Sequence, residues 1–489
     1  MPGRTHTMTR RDLLRRGMFA TAGLAAAGVV GELATGVLST SAKPPGPPGV
    51  PRFRTRGDLR IPALSVIQSH EGVSEDPIFI APYNAPNGQA GAVIAANSGE
   101  PLWENPLPGK VTTNFGVQSY RGSPVLVWWE GEIELGHGVG EYVIADSAYR
   151  TVRRVQAAGG LRGDLHEFVI TPRDTALLTS YQVRKADLRS VGGPADGTIQ
   201  DAIFQEIDLA DGVLLMEWHS LGAIPLSASY APVESNWDFF HINSVDLDHD
   251  GNLLVSSRST HTVYKVDRSG RILWRLGGRN SDFELGPGAA FAWQHDVRRQ
   301  PDGTLTVFDN GATPAVEKLS RGLILDLDEQ AMKATLRRQF THPKVLSGSQ
   351  GSVQLLGNGN VFVGWGEIPR VSEFDASGRL LFDALLGTGY ESYRAFRLPW
   401  SGLPAQGPEI AIAGSGPGRT VYASWNGATG VRSWRLLAGS SPAAMRERSV
   451  LASDGFETAL PGAGTDGVVA VEALDGAGRV IGRSAAIAA

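Results

Sequence analysis

Three of the ten histidines in the sequence stand just before copies of one local pattern. The pattern is an apolar residue, then Asp or Asn five positions later, then a short hydrophobic run, and a copy of it follows each of His166, His241 and His295. If the copies are equivalent units around one axis, residues far apart in sequence meet at one end of that axis. We therefore expect the three imidazoles to lie close together.

Polar side chains accompany these histidines. Asn243 follows His241, and a hairpin turn would return the chain through Arg258 beside it; by the same count, Asn310 returns beside His295. A guanidinium is a fork of donors that matches the oxygens of sulfate or phosphate. A histidine near a cation has a lowered pKa and stays neutral and nucleophilic. The set predicts a pocket for a tetrahedral oxyanion, with the two carboxamides binding substrate and an imidazole as covalent nucleophile.

Other interpretations of these residues are possible. A lone histidine beside a strand is usually a hydrogen-bonded structural residue, and three histidines can bind zinc. We expect no metal, because Arg258 would repel a cation and the histidines come from separate units. Residues 246–251 begin like a calcium loop, but Ser257 stands where that loop needs Glu. Five further histidines lack support from the repeat and are predicted to be surface or structural residues: His137, His219, His249, His261 and His342.

The repeated pattern also predicts the fold. Its four copies begin at Val169, Val245, Val297 and Val353, and Asp-Gly or Asn-Gly between extended runs is typical of a hairpin. A second hairpin follows several copies, so each unit is a four-stranded antiparallel sheet. Such sheets, recurring roughly every 50 to 60 residues, are blades of a β-propeller. We predict an all-β chain with six blades, although five or seven also fit, and a pair of β-sandwiches is the alternative. The first two units, near 80–130 and 135–160, match the pattern poorly.

The two ends of the chain differ from the repeats. Arg10 and Arg11 precede an alanine-rich apolar run, which is typical of a twin-arginine export signal, and an uncleaved anchor is the alternative. The predicted protein is secreted, periplasmic or at the cell surface, with no stable membrane insertion once the signal is removed. The predicted domains are a signal peptide over 1–42, a Pro-rich linker over 43–60, the propeller over 61–403 and a fibronectin/Ig-like β-sandwich over 404–489.

Composition excludes several classes of function. The chain has no cysteine, which removes disulfides, thiolate metal sites and cysteine nucleophiles. Its formal net charge of -5 argues against nucleic acid as a partner.

An ordered set of segments resembles the arylsulfotransferase family. The segments are 164–168, 241–245, 256–260, 273–278, 294–296, 308–311 and 393–396. The resemblance covers about residues 60 to 400, and the C-terminal module also looks like that of some members.

This resemblance implies a six-bladed propeller that acts outside the cytoplasm by a ping-pong mechanism. A phenolic sulfate donates its sulfuryl group to a histidine and a phenol accepts it, without PAPS, metal or other cofactor. By motif, His295 is the nucleophile, while His241, Asn243 and Arg258 hold the sulfate. His166 is the proton donor or acceptor.

Two alternatives to this function stay open. One is a non-catalytic propeller that binds an anionic or aromatic ligand, and the other is a metal-dependent hydrolase.

The family's hydroxyl contact has no clear match in this sequence; its candidates are Thr341, Ser347 and Ser349.

Overall fold

The computed structural model describes residues 52–60, 62, 64–84, 89–464 and 466–489. The predicted signal peptide and residues 43–51 of the predicted linker lie outside the described residues. In the described part, strands are accompanied by short 3-10 helices at Arg189–Val191, Leu226–Ala228, Gly416–Gly418 and Pro442–Ala444. None of the helices described is long and apolar enough to span a membrane.

The strands up to residue 397 have between 2 and 12 residues, and most are largely buried. In chain order they are β1 (Ser65–Ser69), β2 (Ile78–Ile80), β3 (Gly91–Ala95), β4 (Pro101–Pro106), β5 (Val111–Tyr120), β6 (Ser123–Glu134), β7 (His137–Ala145), β8 (Thr151–Val155), β9 (Phe168–Ile170), β10 (Thr175–Ala186), β11 (Gly197–Asp208), β12 (Leu214–His219), β13 (Ile242–Leu247), β14 (Leu253–Ser257), β15 (Thr262–Val266), β16 (Ile272–Gly277), β17 (Glu284–Leu285), β18 (His295–Arg299), β19 (Leu305–Asp309), β20 (Arg321–Asp328), β21 (Lys333–Thr341), β22 (Ser352–Leu355), β23 (Val361–Gly364), β24 (Arg370–Phe374), β25 (Leu380–Leu385) and β26 (Ala395–Arg397).

These strands form six sheets, numbered here in chain order. Sheet 1 has the order β26-β2-β3-β4, and sheets 2, 3 and 4 are the meanders β5 to β8, β9 to β12 and β13 to β16. Sheet 5 is β18 to β21 with the short β17 added in parallel, and sheet 6 is β22 to β25 with β1 added. The four repeat copies are the first hairpins of sheets 3 to 6, as predicted. The predicted limits of the first two units were wrong, because sheet 1 takes its first strand from β26 and sheet 2 spans β5 to β8.

Apolar packing follows the same cyclic order. Each of six buried clusters in the described chain draws its side chains from two consecutive sheets. One of them joins sheet 6 back to sheet 1, where Phe362 and Phe382 share a cluster with Ile80. The first and last strands of the ring reinforce this closure, since β26 pairs with β2 and β1 pairs with β25. A ring of four-stranded sheets that leaves few free edges is consistent with a propeller.

The C-terminal region contains two further sheets. Its strands are β27 (Glu409–Ala413), β28 (Thr420–Ser424), β29 (Ser433–Gly439), β30 (Arg446–Ala452), β31 (Glu457–Pro461), β32 (Val468–Leu474), β33 (Val480–Arg483) and β34 (Ile487–Ala488). One sheet has the order β27-β28-β31, and the other has β30-β29-β32-β33 with β34 on β32. Val421 of the first and Trp434 of the second share one buried cluster. The likeness of this region to an Ig or fibronectin domain stays a prediction.

The C-terminal region contacts both the ring and part of the predicted linker. The Tyr149 hydroxyl donates to the Gly427 carbonyl at 2.7 Å, and the Asn426 side chain bonds to the backbone of Glu104. Thr55, within the predicted linker, donates from its hydroxyl to Glu457 at 2.6 Å. The described part of the predicted linker is therefore held against the C-terminal region.

Candidate functional site

The three predicted histidines lie where the first strands of sheets 3, 4 and 5 begin, and Arg258 and Asn310 directly follow the second strands of sheets 4 and 5. His295 is the first residue of β18, His241 directly precedes β13, and His166 stands shortly before β9. The His166 and His241 ring centres are 4.7 Å apart. Tyr393, which precedes β26, lies 5.6 Å from the His166 ring and 6.3 Å from the His295 ring. Four separate sheets thus bring their side chains into one cluster.

The hairpin registers correct one detail of the predicted repeat. The left-handed residue of the first turn is Asp174 in sheet 3, Gly251 in sheet 4 and Gly303 in sheet 5. Counting back the same number of residues from each reaches His166, Asn243 and His295. His241 therefore stands two residues before the position equivalent to the other two histidines. The His166 and His241 rings nevertheless lie 4.7 Å apart, and β13 has a register irregularity between Ile242 and Ser244.

The backbone is strained at four residues in or shortly before the first strands of sheets 2, 4, 5 and 6. Asn114, His241, Trp293 and Gln350 all have φ between 52° and 65°, a region that favours glycine. Such conformations cost about 1–3 kcal/mol each and persist where the surrounding structure holds them, often at functional sites.

His295 is held in one tautomer. Its Nδ1 faces two oxygens, Oδ1 of Asn310 at 2.7 Å and the Trp293 carbonyl at 3.1 Å, so this nitrogen must carry the proton. Nε2 then has the lone pair and accepts from the Gln350 backbone N–H at 3.2 Å. Burial, followed by the charge of Arg258, holds the pKa of His295 well below its usual value. The ring is therefore neutral at pH 7, with Nε2 as a nucleophilic nitrogen.

Asn310 was predicted to bind substrate, but its amide is fully engaged by the protein. Oδ1 accepts from His295, and Nδ2 donates to the carbonyls of Ser347 at 3.2 Å and Gln350 at 3.0 Å. These two donations also fix which end of the amide faces the imidazole. Asn310 therefore positions His295 in this structure, and a contact from Asn310 to substrate stays a prediction.

Asn243 is buried beneath the histidines. Nδ2 donates to the Gln294 carbonyl at 2.6 Å, and the backbone carbonyl accepts from Arg394 at 2.8 Å. Oδ1 is buried without a hydrogen-bond partner in the described structure. One of the two Nδ2 hydrogens is thus used internally, and a contact from Asn243 to sulfate stays a prediction.

Arg258 provides the positive charge. It donates from Nη2 to the Gly348 carbonyl at 3.1 Å, and its guanidinium stacks 4.8 Å from the Trp293 ring centre. Burial lowers the pKa of Arg258, opposed by the charges of Asp238 and Glu367, but a guanidinium stays protonated at physiological pH. Since a guanidinium has five N–H donors, this bond leaves others for an anion.

Two aspartates that the sequence analysis left without a role hold the other two imidazoles. Oδ2 of Asp164 accepts from His166 Nδ1 at 2.6 Å, and Oδ2 of Asp238 makes a very short hydrogen bond with His241 Nδ1. Burial alone would raise the pKa of Asp164, but the neighbouring His166 holds it below its usual value. Each carboxylate fixes its ring with Nε2 turned away from it.

His137 is part of the site, against the prediction that it is surface or structural. Its side chain is buried, stacks on Tyr181 with ring centres 3.9 Å apart, and lies 5.5 Å from the His241 ring. It begins β7, on a long hairpin of sheet 2. The feature of the sequence that could have identified His137 is the adjacent Gly138, because a Cβ there would lie 2.4 Å from the Leu165 backbone nitrogen. Glycine lets this hairpin approach the His166 loop.

A buried ion-pair network supports the cluster. Glu167 forms ion pairs with Arg394, from Oε1 to Nη1 at 3.0 Å, and with Arg298, from Oε2 to Nη2 at 2.6 Å. Arg298 also pairs through Nη2 with Oδ1 of Asp296 at 2.9 Å. These residues come from sheets 3, 5 and 1, so the pairs connect sheets across the ring. Paired buried charges of this kind fix geometry, and removal of one partner leaves an uncompensated charge.

Two groups in this cluster have the chemistry of metal ligands. They are His137 with Asp164 and His166, and His137 with Asp238 and His241.

Comparison with known proteins identifies a family for most of this ring. The family model described as "Arylsulfotransferase (ASST)" matches residues 116–387, more than half of the chain. That span includes the six predicted site residues. No protein of curated function gives a significant match.

Solved structures give only distant likenesses. A protein of unknown function from Bacteroides caccae has 12% identity over 66% of this chain and 98% of its own, with a TM-score of 0.41. A virginiamycin B lyase from Staphylococcus aureus has 9% identity over 74% of this chain and 97% of its own, with a TM-score of 0.34. A Lactobacillus plantarum protein has 13% identity over 78% of this chain and 98% of its own, with a TM-score of 0.37. At these scores the likenesses support no conclusion about function.

Proposed function

Because this chain belongs to the arylsulfotransferase family, we propose that it moves a sulfuryl group from a phenolic sulfate ester to a phenolic acceptor through a sulfated His295. The observation that carries this proposal is the state of the His295 ring. Asn310 and the Trp293 carbonyl hold its Nδ1 proton, and the lone pair lies on a buried Nε2. We also propose that the six sheets are the blades of a six-bladed propeller.

In the first step, Nε2 of His295 bonds to sulfur while the bond from sulfur to the phenol oxygen breaks. The phenoxide leaves with that electron pair and takes a proton from His166. The weak hydrogen bond from the Gln350 N–H to Nε2 must open, which frees this donor for a sulfuryl oxygen. Arg258, whose charge acts on His295, neutralises the anionic sulfuryl group.

In the second step, a phenol gives its proton to His166 and its oxygen attacks sulfur. The N–S bond breaks and returns its electron pair to Nε2 of His295. Asp164, at 2.6 Å from Nδ1 of His166, holds that ring in one orientation for both proton transfers. The cycle consumes one sulfate ester and produces another, so it needs no PAPS.

Sulfation of His295 is the direct test. Incubation with 4-nitrophenyl sulfate, without an acceptor, should release nitrophenol and add one sulfuryl group to a peptide that contains His295. Addition of a phenol should then remove the group and yield the phenol's sulfate. His295→Ala should lose about 10³-fold or more of this turnover, because no nucleophile replaces it.

His261→Gln is the matched control, since His261 is also buried and lacks a hydrogen bond at Nε2 but lies outside the proposed chemistry. A folded wild-type protein that neither acquires the group nor transfers it would refute the proposal. Binding of a phenolic sulfate that persists in His295→Ala, without turnover in the wild type, would indicate a binding propeller instead.

We further propose that the protein is exported by the twin-arginine route. Paired Arg10 and Arg11 before an apolar run support this, although both lie outside the described residues. Replacement of both arginines by lysine should retain the protein in the cytoplasm, measured by cell fractionation. Unchanged export of the double variant would contradict the proposal.

A further inference from the structure

The cluster of His137, Asp238 and His241 combines two imidazoles and one carboxylate from two sheet regions. One ligand atom from each residue lies within 4.8 Å of the others. His137 Nε2 is 3.4 Å from Asp238 Oδ2, and Asp238 Oδ2 accepts a hydrogen bond from His241 Nδ1. We propose that these three residues bind a divalent transition-metal ion, for which zinc is the best match. This proposal goes beyond the sulfotransfer function. His241, which the family resemblance assigns to the sulfate, would bind the metal through Nδ1 and keep its Nε2 proton for that contact.

The observed spacing is close to that of a zinc site. Zinc binds imidazole nitrogen and carboxylate oxygen at about 2.0–2.2 Å, so tetrahedral ligand atoms lie about 3.3 Å apart. The separation between His137 and Asp238 already has this value. The bond between His241 and Asp238 must open by about 1 Å as the metal replaces the shared proton at Nδ1, which leaves the ring proton on Nε2.

One of two unpaired polar atoms in the cluster points to a bound ligand. His137 Nδ1 and Asp238 Oδ1 are both buried without a hydrogen-bond partner in the described structure. Unpaired buried polar atoms are rare in folded proteins, and each requires a physical reason. A metal on the Asp238 carboxylate would give Oδ1 a partner, whereas Nδ1 of His137 faces away from a metal bound at Nε2 and gains none.

The charges around the cluster favour a cation despite Arg258. Burial lowers the pKa of His137, against which the charges of Asp238 and Asp164 raise it, whereas burial and the charge of Arg258 both lower the pKa of His241. Glu367 in turn acts on Arg258. Burial raises the pKa of Asp238 and so disfavours its charged form, which a bound divalent ion would stabilise. The expectation of no metal rested on the charge of Arg258 and on the origin of the histidines in separate units, and it took no account of Asp164 and Asp238.

The neighbouring group around Asp164 is a poorer site because its carboxylate is already saturated. Oδ1 accepts from the Gly138 N–H at 2.6 Å, and Oδ2 accepts from His166 and from the Thr179 hydroxyl at 3.0 Å. Asp238 Oδ1, in contrast, has no partner. Asp164 instead resembles a carboxylate that hydrogen-bonds to one ring nitrogen of a histidine and so fixes the direction of the other. Two imidazoles with one carboxylate also favour zinc over magnesium or calcium, which prefer oxygen ligands.

Metal content measured on the full-length protein tests the proposal. Protein stripped with a chelator and dialysed against zinc should retain about one ion per chain. Cobalt(II) in its place should give the visible d–d absorption of a low-coordinate site, which zinc should remove by competition. Neither readout requires sulfotransfer activity.

Variants assign the ligands. Asp238→Asn, which preserves side-chain shape, and His137→Gln should each abolish zinc retention and the cobalt spectrum, whereas the control His261→Gln should keep both. If His137→Gln does not fold by circular dichroism, Asp238→Asn decides. His166→Gln should retain the metal, because His166 belongs to the neighbouring group.

Several outcomes would overturn the proposal. Wild-type protein that retains no zinc or cobalt would do so, as would retention in Asp238→Asn. Loss in His166→Gln with retention in His137→Gln or Asp238→Asn would assign the ion to other ligands. Because sulfation of His295 is measured by mass and zinc by metal analysis, failure of one proposal is distinct from failure of the other.

Discussion

The proposed nucleophile depends on the neutrality of one neighbouring side chain. Asn310 presents an uncharged oxygen to Nδ1 of His295 at 2.7 Å, which fixes the tautomer with little stabilisation of the protonated ring. A carboxylate in the same place would favour the imidazolium and raise the pKa of His295. In that form Nε2 carries a proton and cannot attack sulfur.

The substitution Asn310→Asp should therefore make the first step sensitive to mild acid. The pKa of His295 lies well below its usual value in the wild type, so its rate of sulfation should stay nearly constant from neutral pH to about pH 6. In Asn310→Asp the raised pKa places the loss of rate within that range, with activity recovered as pH rises. Rapid-mixing release of nitrophenol measures this directly. Asn310→Ala, which removes the positioning bond without adding charge, should lose about 10²-fold in rate at all pH values. Parallel pH profiles for wild type and Asn310→Asp would contradict this account.

The residue types of the site could be predicted from sequence, but their contacts could not. The motifs predicted His166, His241 and His295, and the structure brings them into one cluster. Asp164 and Asp238 were not assigned, because nothing in a local pattern tells which aspartate faces a ring. His137 was missed because it comes from a hairpin of sheet 2, which the repeat does not describe. Asn310 was placed beside His295 correctly, yet only the structure shows that its amide is fully engaged.

At the scale of elements, turn chemistry made sheets 3 to 6 predictable. Each of their first hairpins needs a left-handed residue, and Gly251 supplies it with φ of 83° while Asp174 does so at 56°. The use of Asp in place of Gly shifts the apparent position of His166 by one residue. The turn of sheet 4 does use Gly, yet His241 stands two residues before the equivalent position, which Asn243 occupies. Sheet 1 was not predictable from local patterns, since its first strand lies some 300 residues after its second.

At the scale of the whole molecule, β26 connects the two ends of the ring to the site. The strand pairs with β2 and directly follows Arg394, which pairs with Glu167 of sheet 3 at 3.0 Å. The buried Ala395 donates its N–H to the Ser352 hydroxyl at 3.1 Å. Loss of β26 therefore opens sheet 1, the contact with sheet 6 and the ion-pair network together.

We expect Ala395→Pro to be strongly destabilising for this reason. Proline cannot donate the N–H bond and disrupts strand pairing, at a cost of about 3 kcal/mol or more. The control is Ala405→Pro, the same change at an exposed residue that belongs to no strand. Thermal unfolding of full-length protein should show a lower midpoint for Ala395→Pro than for the control, with loss of sulfation at His295 as the network is released. Equal midpoints would mean that the ring holds together without this strand, and that the sheets are closed by apolar packing between sheet 6 and sheet 1 alone.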